Sequence, residues 1–400
     1  MTDFADRWGF ADDKFWLRGE QPKEPVEWSE ELGRWHAYGY AEVNEALSNN
    51  DGYSADSGRL FNLDEETLKY FDGDLAQMTG AEHANIRKQV SHAFSPRFIE
   101  HLESRVLELA NEYADQLIHL GRFNLLSDFV DHVAGIVFSE LLGIPADDRT
   151  MFKLVDQNMD QQAQMTPVDQ GDGEEGYFEK LTKPLEPLRE MLGRHVDERT
   201  QNPKEDLISL LSQVKKLDGS LMTRDQIINF IIGILGAGHL ATPLLIGNTM
   251  LCLESFPEQA EKVKADHSLI PGMLEESMRF LTPGAVSYRA TIADVELGGK
   301  QIPKDSLIRV FLGAANRDPL QFPNPDEFDV TRSPNAHLGF GRGSHYCVGG
   351  QMVRVETRIV FEVLLERFPN LRIDPNIPPL FFNSPDFTGV RSGGLWVLTR

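Results

Sequence analysis

Cysteine is nearly absent: Cys252 and Cys347 are the two in 400 residues. They lie far apart in unlike contexts, so a disulfide framework is not expected and a reducing, cytoplasmic compartment is. Basic residues are also scarce. Lys and Arg total 39 against 62 Asp and Glu, a net charge of −23, which argues against nucleic acid and anionic membrane surfaces as partners. Met1–Trp16 has no basic cluster leading into an apolar run, so neither a signal peptide nor a membrane anchor is expected. Linkers, charge blocks and internal repeats are missing too. This favours a single domain over residues 1–400, although the length alone suggests two or three. One stretch, between Asp225 and Glu254, has no residue with a formal charge. It is long enough to span a bilayer, but it holds Asn229, His239, Thr242, Pro243 and Asn248 and sits mid-chain between acidic segments, which reads as a buried central helix.

What is present is mostly helical periodicity. Helices are expected at Tyr40–Ser48, over Glu82–Phe94 with Pro96 just beyond, and through much of Phe98–Val214. An acidic, Gly-containing stretch at 167–176 breaks that region and reads as a loop. Thr223-Arg224-Asp225-Gln226 has the pattern of a capping box at the start of the central helix. A helix at Leu269–Phe280, closed by Pro283, precedes strand-like runs at Val286–Ile292, Val295–Leu297 and Leu307–Phe311. Ala314–Arg332, rich in Pro, Asn and Asp, is expected to be irregular, and a last helix should run from Gly350 to about Arg367. The fold class is mainly α with small β-sheets.

Cys347 closes the run Phe340-Gly341-Arg342-Gly343-Ser344-His345-Tyr346-Cys347-Val348-Gly349. An isolated cysteine is most often a small buried hydrophobe, and a Gly-rich turn can be a dinucleotide loop. The glycines here do not give G-x-G-x-x-G, and no acid follows at the ribose-binding distance. The run resembles the haem-binding signature of the cytochrome P450 family, F-G-x-G-x-H-x-C-x-G, at every fixed position. The resemblance implies the family's fold, with a long central helix over a buried haem b, and Cys347 as the axial thiolate on iron. Thiolate ligation pushes electron density toward O–O cleavage. Glycines let the loop approach the ring, and a helix starting just after Cys347 is expected to lower its pKa.

Other residues fall where the resemblance places functional groups. Glu276-Ser277-Met278-Arg279 matches E-x-x-R, whose charges share a helix face; with Arg332 it implies a buried network that fixes the cysteine loop. The haem propionates need cations, and His83, Arg87, Arg289 and His345 occupy the matching positions. With Phe340, Gly341, Cys347 and Gly349 they form the expected cofactor set.

The central helix carries Gly236-Ala237-Gly238-His239-Leu240-Ala241-Thr242-Pro243, which resembles the oxygen-binding segment A-G-x-[DE]-T-T. Gly238, Ala241 and Thr242 are the catalytic candidates. Two departures stand out: Leu240 replaces the acid and Ala241 the threonine that normally relay protons. Pro243 leaves the carbonyl of His239 without its helical donor, so it can hold a water. Thr242 is expected either to bond a carbonyl one turn back or to turn toward the pocket. His239 is expected to point away from the iron.

The substrate is expected near Ser57–Gly80, the 157–180 stretch as a lid, the central helix, Ala285–Val286 and Phe387–Thr388, with Leu235, Leu240, Val286 and Phe387 as contacts. The resemblance implies a monooxygenase that hydroxylates or epoxidises a medium or large organic molecule in secondary metabolism. It would use O2 and a separate ferredoxin- or flavodoxin-type donor with its NAD(P)H reductase, docking on Lys88, Arg97, Arg342, Arg354 and Arg358. Two alternatives stay open, the first of them supported by the departures at Leu240 and Ala241. One is oxidative cyclisation, coupling or peroxide-driven oxidation, although Thr242 stands where fatty-acid peroxygenases carry arginine. The other is a haem protein that binds a ligand without turnover.

Overall fold

In the computed structural model, residues 3–61, 65–94, 96–145 and 182–400 are described. The helices that frame the interior are α1 (Tyr40–Ser48), α2 (Gly80–Val90), α3 (Pro96–Leu117), α4 (Asp131–Leu142), α5 (Glu186–Gln201), α6 (Arg224–Ser255), α7 (Ile270–Phe280) and α8 (Gly350–Arg367). The bounds of α1 and α8 match the sequence expectation. The helix expected over Glu82–Phe94 is instead α2 followed by a 3-10 turn, Ser91–Phe94, and Pro96 opens α3 rather than trailing a helix. Proline at the first helical position forfeits no hydrogen bond, because that N–H has no partner in any helix.

α6 starts as its capping box predicts. The Gln226 backbone N–H donates to Thr223 Oγ1 (3.2 Å) and the Thr223 N–H to Gln226 Oε1 (2.9 Å). The helix continues unbroken past Pro243. It has the length and apolarity of a membrane span, but 61% of its most apolar window is buried by the rest of the chain. Helices α4, α5, α7 and α8 pack around it.

Among the described residues, ten short strands make three small sheets. They are β1 (Val26–Ser29), β2 (Arg34–Ala37), β3 (Tyr53–Ser54), β4 (Arg122–Asn124), β5 (Val286–Thr291), β6 (Val295–Leu297), β7 (Lys300–Ile302), β8 (Leu307–Phe311), β9 (Arg372–Ile373) and β10 (Trp396–Leu398). The largest sheet has the order β1-β2-β8-β5-β3. Its centre pairs β2 parallel to β8, with Ala37 opposite Val310, and β5 antiparallel to β8, with Arg289 opposite Ile308. That register holds the Arg289 backbone in the middle of the sheet. The main apolar cluster runs from Phe4 to Val397. A small one, Leu245, Met278, Phe340 and Val353, joins α6, α7, the cysteine loop and α8, with Ala241 and Cys347 packed against it.

Candidate functional site

The loop before α8 is shaped by its own backbone. The Cys347 N–H donates to the Phe340 carbonyl (2.8 Å), the Gly341 N–H to Leu338 (2.8 Å) and the Gly350 N–H to Cys347 (3.3 Å). Gly341 and Gly343 take φ of +70° and +69°, a region that disfavours other residues. A Cβ on Gly343 would also lie 2.7 Å from the Leu47 carbonyl oxygen at the end of α1, whereas one on Gly349 would meet nothing. The loop is clamped from behind. Arg354 of α8 grips Glu275 with Nε and Nη2 (2.6 and 2.9 Å), donates to Tyr346 Oη (2.9 Å) and lies over the Phe340 ring. Burial opposes ionisation of Glu275, yet His337 and Arg354 hold its pKa down to about 2.

Cys347 lines a cavity that α6 bounds on another side. Burial raises its thiol pKa, against the pull of the Gly349 and Gly350 N–H groups, Arg87 and Arg354. The net lowering expected from the start of α8 is therefore not found in the chain alone. Dipoles and two arginines do not offset the lost hydration; a bound cation would.

All four expected propionate partners gather at this cavity. Arg87 and Arg289 line it. His83 and His345 stack with ring centroids 4.1 Å apart. Arg289 is buried, donates to the Tyr288 carbonyl (2.7 Å) and Ser287 Oγ (3.4 Å), and faces no carboxylate; burial lowers its pKa to about 10. Arg87 donates to the Tyr346 carbonyl. Burial, then His83, Arg289 and Arg87, push His345 down to about 3. The buried Nε2 of His83 has no hydrogen-bond partner. Two arginines and two imidazole donors held together, with no acid paired to them among the described residues, fit an anionic ligand. A haem, with two propionates and an iron for Cys347, suits the residues present.

Glu276, Arg279 and Arg332 also come together. Arg279 binds both Glu276 oxygens (2.7 and 2.8 Å), with both side chains fully buried, and Arg332 Nε reaches the same carboxylate (3.1 Å). Arg279 further donates to the carbonyls of Asn316, Pro325 and Glu327, and Arg332 to those of Pro323, Asn324 and Glu327. Asn316 in turn accepts the Leu338 N–H (2.7 Å), two residues from Phe340.

The α6 wall of the cavity is the stripe Phe230, Gly233, Ile234, Ala237, Gly238 and Ala241, one helix face by spacing. Gly238 is required there because a Cβ would fall 1.8 Å from the Phe138 ring of α4. Thr242 adopts neither expected posture. It is buried and donates to Glu356 Oε2 on α8 (2.7 Å). Glu356 is fully buried, its Oε1 is unpaired, and burial lifts its pKa to about 7 against the effects of Thr242 and His239. His239 is buried and is not part of the cavity wall.

The four expected substrate contacts, Leu235, Leu240, Val286 and Phe387, are not in that wall. Leu235 and Leu240 lie on other faces of α6 than the stripe, and Leu235 and Val286 belong to the main core. Asp74, Leu75 and Ala76 do line the cavity, within the expected Ser57–Gly80 segment. The 157–180 stretch and the Arg97 side chain lie outside the described residues. Of the basic docking candidates, Lys88 and Arg342 are exposed, whereas Arg354 serves Glu275 and Arg358 pairs with Glu103 and Glu362. Sequence reasoning missed Glu356, Asp74 and Phe138. Glu356 had one signal, a carboxylate in step with Val353 and Val360 on an apolar helix face.

The family model described as "Cytochrome P450" matches residues 35–390. A cyclomarin C epoxidase, CymV, of Salinispora arenicola is 31% identical over 379 residues, covering 94% of each chain. Among solved structures, one described as an unusual cytochrome P450-like monooxygenase of microbial secondary metabolism has a TM-score of 0.92 at 40% identity, over 98% of this chain and all of the other. HmtN, a post-tailoring hydroxylase of himastatin biosynthesis, has a TM-score of 0.88 at 41% identity over the full length of both.

Proposed function

The chain belongs to the cytochrome P450 family of haem monooxygenases, and from that premise we propose that it hydroxylates or epoxidises a medium or large organic molecule of secondary metabolism, working as one domain. The observation that carries this reading is the cavity itself. A cysteine lines it, Arg87, Arg289 and His345 gather at one side of it, and a helix stripe that includes glycine and alanine borders it. When bound, the haem iron supplies the activation of O2 that inserts oxygen into the substrate.

The chain's own residues supply the rest. Cys347 would hold the haem iron, and Phe340, Gly341 and Gly349 would give it a close approach. Arg87, Arg289, His83 and His345 would hold the propionates. Glu276, Arg279 and Arg332 lock the segment leading into the cysteine loop. Gly238 and Ala241 keep space open at α6. The proton role vacated at Leu240 and Ala241 passes behind the helix: Glu356, half-protonated near neutral pH by its raised pKa, keeps its proton at Oε1 while Oε2 accepts from Thr242 Oγ1. A ferredoxin- or flavodoxin-type donor, with its NAD(P)H reductase, meets the exposed Lys88 and Arg342.

The carbon monoxide spectrum of the reduced protein tests the ligand assignment. The wild type and Cys252→Ser should give the red-shifted band of thiolate-ligated haem, and Cys347→Ser should lose it. An unchanged band in Cys347→Ser would sink the assignment. The departures at Leu240 and Ala241 support a second reading, oxidative cyclisation or coupling. Ala241→Thr separates the two: more product per O2 consumed favours oxygen insertion, and unchanged coupling favours the second.

A further inference from the structure

One carboxylate in the cavity wall has no cation among the described residues to answer it. Asp74 lines the cavity beside Gly233, Ile234 and Ala237 of α6, with Phe138 and Phe230 nearby. Gly233 and Ala237 are exposed although α6 runs through the interior, so they face this open space. Asp74 Oδ1 lies 3.1 Å from where a Cβ on Gly233 would stand; the carboxylate thus rests against bare helix backbone. Its hydrogen-bond donor is the Ala76 N–H (2.9 Å), a turn contact that Asn makes equally well. Burial raises its pKa, opposed by that N–H alone, with no side-chain charge acting on it. Arg87 and Arg289, at the same cavity, leave Asp74 unneutralised.

A half-buried acid in a largely apolar wall carries a desolvation cost unless a partner arrives, and sparse polar groups in such walls orient ligands. We propose that Asp74 is a substrate-recognition residue that takes a protonated amine on an otherwise apolar substrate. The inference rests on reading this cavity as the substrate site, and it names the substrate class as apolar skeletons bearing a basic nitrogen.

The test titrates N,N-dimethyloctylamine and 1-octanol into haem-loaded wild type and Asp74→Asn at neutral pH, by calorimetry and by the haem spectrum. Asn keeps the side-chain size and the turn contact and removes the charge. The wild type should bind the amine at least about tenfold more tightly than the alcohol, as a charge-assisted pair requires. In Asp74→Asn the two affinities should fall within about twofold of each other, with that for octanol unchanged. Equal affinities in the wild type would overturn the proposal. So would a preference that survives in the variant, the result expected if the nitrogen binds iron instead. Loss of octanol binding in the variant would assign Asp74 to the turn rather than to recognition, and would overturn it too. Haem uptake in the same samples judges the site reading separately. Haem-free protein would defeat that reading, while the calorimetric comparison would still decide on Asp74.

Discussion

Glu356 is where a single residue works against the fold. Its pKa rises from the ordinary 4.5 to about 7 because burial disfavours the charge. Between those values the unfolded chain has lost the proton and the folded chain keeps it, so stability falls as pH rises through this window. Glu356→Gln removes the term. The variant should be more stable than wild type at pH 8 by roughly 2–4 kcal/mol, and the gap should close toward pH 4. Denaturant midpoints across that range measure it; a gap independent of pH would exclude the explanation. Cys347 was legible in the sequence because metal ligation and a tight loop constrain many neighbouring residue types at once. Glu356 and Asp74 were not, since one carboxylate carries no pattern. What makes each notable is the company of residues distant in sequence, Thr242 for one and Gly233 for the other.

Among elements, α7 has the widest reach. Glu276 and Arg279, one helical turn apart, gather carbonyls from Asn316 to Glu327 and, through Asn316, the start of the cysteine loop. Removing one member of a buried charged network costs about 3–5 kcal/mol. Arg279→Ala should therefore yield protein that folds poorly around the loop and purifies without haem; a normal haem-to-protein ratio would refute this. Elements with strong local signals were legible, such as α6 with its capping box and α8 with its bounds. The short strands β1, β4 and β7 were not fully read, because three or four residues give too little alternation and their pairing partners lie far along the chain. The wall of the cavity was misread for a related reason. Apolar identity marks Leu235 and Leu240 as buried, but the choice between core and cavity depends on helix phase, and here glycine and alanine take the cavity side.

On the scale of the whole molecule, the charge of −23 repels acidic proteins except where a local basic face overrides it. Lys88 and Arg342 are exposed, and Arg342 belongs to the cysteine loop. Arg342→Glu should slow reduction by an acidic ferredoxin several-fold at low ionic strength. The deficit should shrink as salt screens charge beyond about 10 Å, read by stopped-flow reduction at increasing salt. A deficit indifferent to salt would point to a changed loop instead. The stacked His83 and His345, with Arg87 and Arg289 at the same cavity, have a further consequence. The two arginines, beside neutral imidazoles, are quiet only when their counter-ion is in place, so maturation and cofactor loading become one event. A cell that makes this chain faster than it makes porphyrin would accumulate a form whose weak point is that cavity wall. Its proteases would then read porphyrin supply before any substrate was turned over.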